Sequence, residues 1–348
     1  DNNSRLIIPE ATTRIGVDTE FLRERTYYAK LCLVQVATSS RTICIDPLTT
    51  PAADNFWREM MEFEWILHAA RQDLEIVFEA SNQLPDQVFD TQIAAAMLGF
   101  PAQIGYAGLV KQLFNVNLDK AYTRADWSKR PLSEALLKYA AEDVYYLLPA
   151  YESLAEQLKS IGRFDWALED SQYLLDASLY QTEPAAAIKR LKGARKLQGR
   201  PFAVAKSLAT WREEEAIRTN KPRKWVLSDR LLLNIAVDLP DSIASLARID
   251  TMPEKLVQRS GKYFLQIIER AEPSQLGSRR SARLNEKQRA TLKKMKRKVE
   301  VIAHSLGIAA EIIASKKELS AAVVGNRKSR VFRGWRKQII GKQLLELL

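Results

Sequence analysis

Every strand-like run that can be read in this 348-residue chain falls before residue 90, and the remainder reads as helix after helix. That order limits the fold more than composition does. Residues 14–19, 31–37 and 42–45 are extended runs in succession, the last two joined by the polar turn Thr38-Ser39-Ser40-Arg41. Asp46-Pro47 closes the group. A helical stretch near 53–61 leads to a short apolar strand at 65–68, a helix over about 70–81, and a last strand at Val88-Phe89 ended by Asp90-Thr91. Helical segments continue through Leu113. Antiparallel strands followed by strand–helix–strand units imply a mixed sheet covered by helices.

The first run carries an anomaly. In Ile15-Gly16-Val17-Asp18-Thr19-Glu20-Phe21 the alternation of a strand sends Asp18 and Glu20 to one face and Val17, Thr19 and Phe21 to the other. Two carboxylates crowded on one edge of an apolar strand are costly unless a cation lies between them, and a divalent metal ion is the simplest candidate. Alone, the pair reads more readily as a solvated strand end. Two further acids change the balance. Asp73 sits among Ala69, Ala70, Ile76 and Val77 at helical spacing, so its carboxylate lies on an apolar stripe. Ser133, a good N-cap with Glu134 in the first turn, opens a helix whose buried face is Leu136, Ala140, Val144 and Leu147. On that helix Tyr139 and Asp143 stand four residues apart, which stacks the hydroxyl beside the carboxylate.

Four acids on three otherwise apolar elements, with no histidine or thiolate expected nearby, are hard oxygen ligands suited to magnesium or manganese and unsuited to zinc. Cys32 and Cys44 are the only cysteines, both in apolar runs, and His68 and His304 the only histidines. The cysteines fit reduced core thiols far better than a disulfide framework or a zinc site, and a histidine-rich metal site is excluded. Two ions about 4 Å apart can clamp an in-line phosphoryl displacement. Such chemistry needs a phosphate-binding surface beside the acidic pocket, and the charge distribution supplies one. Residues 1–185 carry 16 Lys and Arg against 27 Asp and Glu, a balance of −11; residues 186–348 carry 37 against 15, a balance of +22. A basic half of that size reads as a polyanion surface, with nucleic acid the leading partner.

The stretches Asp18-Thr19-Glu20-Phe21, His68-Ala69-Ala70-Arg71-Gln72-Asp73-Leu74-Glu75 and Tyr139-Ala140-Ala141-Glu142-Asp143-Val144 resemble the three exonuclease motifs of the four-acid 3′→5′ exonucleases. The match is to the subgroup with a tyrosine four positions before the last aspartate, and within it to the ribonuclease D family. Arg124-Ala125-Asp126-Trp127 with Arg130-Pro131-Leu132 is similar to the stretch before that family's third motif. The resemblance covers roughly residues 14–180 and implies a ribonuclease-H-like sheet domain. It also implies that Asp18 bridges two divalent cations, Mg2+ or Mn2+, with Glu20 and Asp143 on the ion that activates water and Asp73 serving the second. Tyr139 would position that water, and Thr19, Phe21 and His68 would contact the terminal nucleotide. Thr19 and Phe21 leave the strand on the face opposite the acids, so that contact requires a local bend. The family has a strand and helix before its first motif, whereas 17 residues precede Asp18 here, so an edge element is expected to be shortened or absent.

In the basic half, Trp211-Arg212, Ala216, Asn220, Pro222, Asp229, Leu232 and Ala236 resemble the helicase-and-ribonuclease-D C-terminal (HRDC) module over about 196–275. Gln181–Pro184 reads as the linker into it. A shift of 87 residues matches Ala216 to Ala303, Val226 to Ile313, Ser228 to Ser315 and Leu232 to Leu319, a weak internal repeat that implies a second copy over about 283–348, joined through 271–281. The expected architecture is an exonuclease domain over 1–185, a first HRDC domain over 186–277 and a second, divergent HRDC-like domain over 278–348.

The resulting expectation is a metal-dependent 3′→5′ exoribonuclease that releases nucleoside 5′-monophosphates from structured RNA, chiefly in maturing tRNA 3′ ends. The alternatives are a 3′→5′ DNA exonuclease and a non-catalytic nucleic-acid-binding protein whose acids hold a structural ion. Lys293, Lys294 and Arg297 are candidate RNA contacts, as are Arg327, Lys328, Arg330 and Arg333. Trp225 and Trp335, each flanked by basic residues, are read either as packed aromatics or as base-stacking platforms. No run of 18 apolar residues occurs and no basic-then-apolar leader opens the chain, so a cytoplasmic protein without membrane contact is expected. The sequence leaves the oligomeric state open, with a monomer favoured. Asp1 in place of Met suggests a trimmed start.

Overall fold

A computed structural model describes residues 12–49, 54–119, 121–122, 125–273 and 284–348. Arg124 and most of the joining segment 271–281 lie outside these. Among the described residues five strands form one sheet: β1 (Arg14–Leu22), β2 (Lys30–Ala37), β3 (Thr42–Ile45), β4 (Glu64–Leu67) and β5 (Gln87–Asp90), in the order β3-β2-β1-β4-β5. β1 runs antiparallel to β2 and β2 to β3, while β4 lies parallel to both β1 and β5. The helices among them are α1 (Asp54–Met61), α2 (Arg71–Ser81), α3 (Thr91–Met97), α4 (Tyr106–Phe114), α5 (Glu134–Tyr145), α6 (Leu147–Ser160) and α7 (Phe164–Gln172). Then come α8 (Gly199–Thr219), α9 (Arg223–Val226), α10 (Asp229–Asp238), α11 (Ile243–Ala247) and α12 (Glu254–Arg270), followed by α13 (Glu286–Leu306), α14 (Ala310–Ile313) and α15 (Lys316–Val323). None of the described helices is long and apolar enough to cross a membrane.

The period-two pattern of β1 decides which layer each side chain enters. Ile15 and Val17 join Val34, Val36, Trp65, Leu67 and Val88 in a buried layer with Trp57 and Met60 of α1 and Leu74 and Val77 of α2. The opposite face, with Gly16, Asp18 and Glu20, turns toward α5 and the start of α6. A Cβ on Gly16 would lie 3.0 Å from Leu147 Cβ and 3.3 Å from the Val144 carbonyl, so only glycine lets the α5–α6 junction approach β1 this closely. Ala37, Ile66 and Phe89 on this face pack with Val144, Leu147 and Leu154.

Contacts divide the chain into two compact units. One comprises the described residues up to Leu22, then 29–180 and 284–348; the other comprises 23–28 and the described part of 181–283. The region expected as a third domain thus packs into the same unit as the sheet, where Met295, Val299 and Ala303 share a core with Met97, Leu154 and Leu158. Trp335 belongs to this core, which bears out its reading as a packed aromatic and removes it as a base platform. It is 3% exposed, stacks on Trp166 with ring centroids 4.6 Å apart, and donates from Nε1 to Asp170 at 3.2 Å. Arg336 beside it makes a two-pronged bond to the same carboxylate.

The second unit is built on α8. Trp211 meets Phe264 edge-on at 4.8 Å, and buried Arg212 donates to Asp229 Oδ1 at 2.7 Å and to the Leu227 carbonyl at 3.0 Å. Asn220 ends α8 in the left-handed conformation, and its Oδ1 accepts from the backbone N–H groups of Tyr27 and Tyr28. Ser228 caps α10 by accepting from Leu231 N–H. Internally, the helices at 199, 223 and 229 have counterparts starting at 286, 310 and 316, and Ser315 caps as Ser228 does. Gly307 ends α13 in the left-handed region, as Asn220 ends α8.

Candidate active site

The four acids arrive from three elements. Asp18 and Glu20 stand at the carboxyl end of β1, Asp73 in the first turn of α2, and Asp143 on α5. Carboxylate oxygens of Asp18, Glu20 and Asp143 lie within 4.8 Å of one another. Asp73 is 8% exposed and close enough that its charge acts on both Asp18 and Glu20. Its position is fixed from two directions. Thr19 Oγ1 donates to Asp73 Oδ1 at 2.6 Å. The turn leading into α2 is held by Asp90, whose carboxylate accepts from the N–H groups of Ala69, Ala70 and Gln92 at 3.0, 2.8 and 2.8 Å. Ala69 takes a left-handed φ of 58° in that turn, a conformation non-glycine residues adopt only when surroundings impose it.

Crowding shows in the proton affinities. Burial, then the charges of Asp73, Asp143 and Glu20, push the Asp18 carboxyl well above the usual carboxylate range. Glu20 is raised to about 8 by burial and by Asp143 and Asp73. Burial raises Asp73 to about 6 against the opposing Thr19 bond, and Asp143 to about 6 against a hydrogen bond from Tyr139. Among the described residues no ion pair involves any of the four. An all-oxygen acidic cluster with no cationic partner among the described residues has the donor chemistry of a divalent-metal site.

Tyr139 packs between Tyr122 and Trp127, with centroids 5.9 and 6.1 Å away, and its hydroxyl bonds Asp143. Thr19 is buried, its hydroxyl committed to Asp73. Phe21 is half-buried just past a register shift in which the β1–β2 pairing skips Cys32. Such a bulge re-aims side chains locally, which is the irregularity the alternation requires at this position. His68 has both ring nitrogens engaged, Nδ1 with Thr91 Oγ1 at 2.9 Å and Nε2 with the Ile104 carbonyl at 2.8 Å. Burial holds its pKa down, and neither nitrogen is left for a substrate. Lys293, Lys294 and Arg297 are exposed on α13, and Trp225 is 63% exposed. Arg330 is paired with Glu318 at 2.8 Å and Arg327 donates to the Ala322 carbonyl, whereas Lys328 and Arg333 remain exposed.

Two residues of the site escape a reading of the sequence. Asp90 reads there as a strand terminator, yet an Asp-Thr pair before a helix is an N-cap signal. Tyr106 lies near enough for Asp143 and Asp18 to raise its pKa, behind burial as the main cause, and its hydroxyl accepts from Tyr146 N–H at 3.0 Å. No local pattern marks it.

A mixed sheet presenting four acids and a tyrosine, with a separate all-helical module, defines a 3′→5′ exonuclease with an HRDC domain. Residues 6–159 match the 3′-5′ exonuclease family model and residues 202–268 the HRDC domain model. Ribonuclease D of Gluconacetobacter diazotrophicus is 35% identical over 96% of this chain and 87% of its own, and that of Jannaschia sp. 37% identical over 96% and 89%. The crystal structure of Escherichia coli RNase D, an exoribonuclease involved in structured RNA processing, superimposes with a TM-score of 0.85 at 28% identity, covering 97% of this chain and 93% of that one. The catalytic core of RRP6 from Trypanosoma brucei gives 0.58 at 25% identity over 75% and 74%. The chain belongs to the ribonuclease D family.

Proposed function

We propose that this protein is a metal-dependent 3′→5′ exoribonuclease that removes nucleoside 5′-monophosphates from RNA 3′ ends, with tRNA precursors among its substrates. The observation that carries this reading is the meeting of Asp18, Glu20 and Asp143 within 4.8 Å, with Asp73 alongside and Tyr139 bonded to Asp143. Asp18, Glu20 and Asp143 would hold one divalent cation, and Asp18 and Asp73 would serve a second. When bound, a magnesium or manganese pair supplies charge for activating the attacking water and stabilising the leaving 3′-oxygen. The chain's own groups do the rest. Tyr139 orients the water for in-line attack on phosphorus, the bond from phosphorus to the 3′-oxygen breaks, and the terminal nucleotide departs with its 5′-phosphate. Thr19 holds Asp73 in place, and Phe21 beyond the bulge meets the terminal nucleotide. With its nitrogens occupied, His68 offers RNA only its ring surface.

The two helical modules are the proposed RNA-gripping parts, over 186–277 and 278–348. The 87-residue correspondence of helix starts and serine caps supports reading the second as a divergent HRDC copy. RNA is commonly recognised through shape, phosphates and unpaired ends, which suits a broad basic surface. The test is a 5′-labelled single-stranded RNA with magnesium, beside a matched DNA. Stepwise shortening of the RNA by the parent and none by Asp18→Ala supports the reading; an intact RNA end with both proteins rejects it, and faster loss of the DNA points to the other sugar.

A further inference from the structure

Gln35 is the one polar side chain in the apolar run Leu31–Ala37 of β2, and it pairs in register with Asp18 of β1. Residues directly opposite across an antiparallel pair project to the same face, with Cβ atoms about 4.5–5.5 Å apart. Gln35 therefore shares the face of the catalytic acids, beneath α5. Its partner on the other side is Cys44 of β3, so Asp18 is the charged member of that cross-strand row. Gln35 is 0% exposed, and neither Oε1 nor Nε2 has a hydrogen-bond partner. A buried amide without partners is destabilising, and a Met or Leu would fill the same space without that penalty. An unsatisfied amide on the same face as Asp18, in register opposite it, has a use if that carboxylate becomes its partner.

We infer that Gln35 is a positioning residue for Asp18: around bound divalent cations, Gln35 Nε2 donates a hydrogen bond to the Asp18 carboxylate and fixes the plane in which it presents its oxygens. The inference rests on the metal-dependent reading above. It assigns Gln35 no contact with RNA and no proton transfer. Partners behind a metal ligand orient it and sharpen its affinity, and their loss commonly weakens metal binding about 10- to 100-fold.

Gln35→Met keeps length and volume but cannot donate. Calorimetric titration with Mn2+ at pH 8 should show binding weakened about 10- to 100-fold, while the metal-free variant melts no lower than the parent because an unsatisfied amide has been removed. Mn2+ affinity within twofold of the parent, or a loss that appears only together with a lower metal-free melting temperature, overturns the inference and leaves the exonuclease reading standing. A parent that binds no Mn2+ brings down both. If Gln35→Met does not fold, the Mn2+-soaked parent crystal decides: Nε2 within hydrogen-bond distance of an Asp18 oxygen supports the assignment, and an amide turned away from Asp18 rejects it.

Discussion

Raising the pH of the metal-free protein should lower its melting temperature, because without a cation the acid cluster is held together by protons. Glu20 sets the magnitude. Moved from 4.5 to about 8, its carboxyl holds a proton roughly three thousand times more tightly in the folded than in the unfolded chain, about 5 kcal/mol. Since the folded value lies above the unfolded one, that stability is complete below about pH 4.5, falls as pH rises, and is gone above about 8. Between pH 5.5 and 8 the loss is about 3 kcal/mol. Asp73 and Asp143, both raised to about 6, act in the same sense at lower pH, but all four share one set of repulsions and do not add. For a unit of this size the drop corresponds to a melting-temperature shift on the order of 10 °C. The assay is thermal unfolding followed by circular dichroism in EDTA at pH 5.5 and 8.5, for the parent and Glu20→Gln, with Mn2+ added in a parallel series. Glu20→Gln should show a smaller drop, the remainder belonging to Asp18, Asp73 and Asp143, and Mn2+ should abolish it because the ionised acids are the form that binds cations. A metal-free parent whose melting temperature is constant or rises over this range, or a Glu20→Gln protein that falls as steeply, refutes the reasoning.

Other perturbations separate positioning, packing and RNA contact. Tyr139→Phe should lower kcat by about 10²-fold or more while leaving RNA affinity unchanged, measured by single-turnover kinetics beside filter binding. Gly16→Ala forces a Cβ against Leu147 and should cost about 1–3 kcal/mol while displacing the helix that carries Asp143, so activity should fall more than stability alone explains. Lys293→Glu with Lys294→Glu should weaken RNA binding and reduce the slope of affinity against salt by about 1 to 2; an unchanged slope excludes these lysines as phosphate contacts.

Much of the site is legible in the sequence because its signals are local. The alternation in β1 puts Asp18 and Glu20 on one face, and the apolar neighbours of Asp73 mark it as an acid that needs company. The Tyr139–Asp143 spacing brings hydroxyl to carboxylate. Ser133 and Ser228 act as the caps their residue type suggests, accepting from Leu136 and Leu231. The features that escape are set by distant chain segments. Trp335 leaves packing and base stacking both open in the sequence, and Asp170 and Trp166, far away along the chain, decide for packing and bury Arg336 beside it. The two nitrogens of His68 are taken by Thr91 and Ile104, partners that no spacing rule links to it. Gln35 is an incidental polar residue of a strand until pairing puts it opposite Asp18.

Anomalous diffraction from crystals soaked in Mn2+ reads the central claim directly. The account expects two peaks in one pocket, both within ligand distance of Asp18, one of them also touching Glu20 and Asp143. Peaks elsewhere on the protein with this pocket left without manganese would show that the acids of β1, α2 and α5 meet for some other reason.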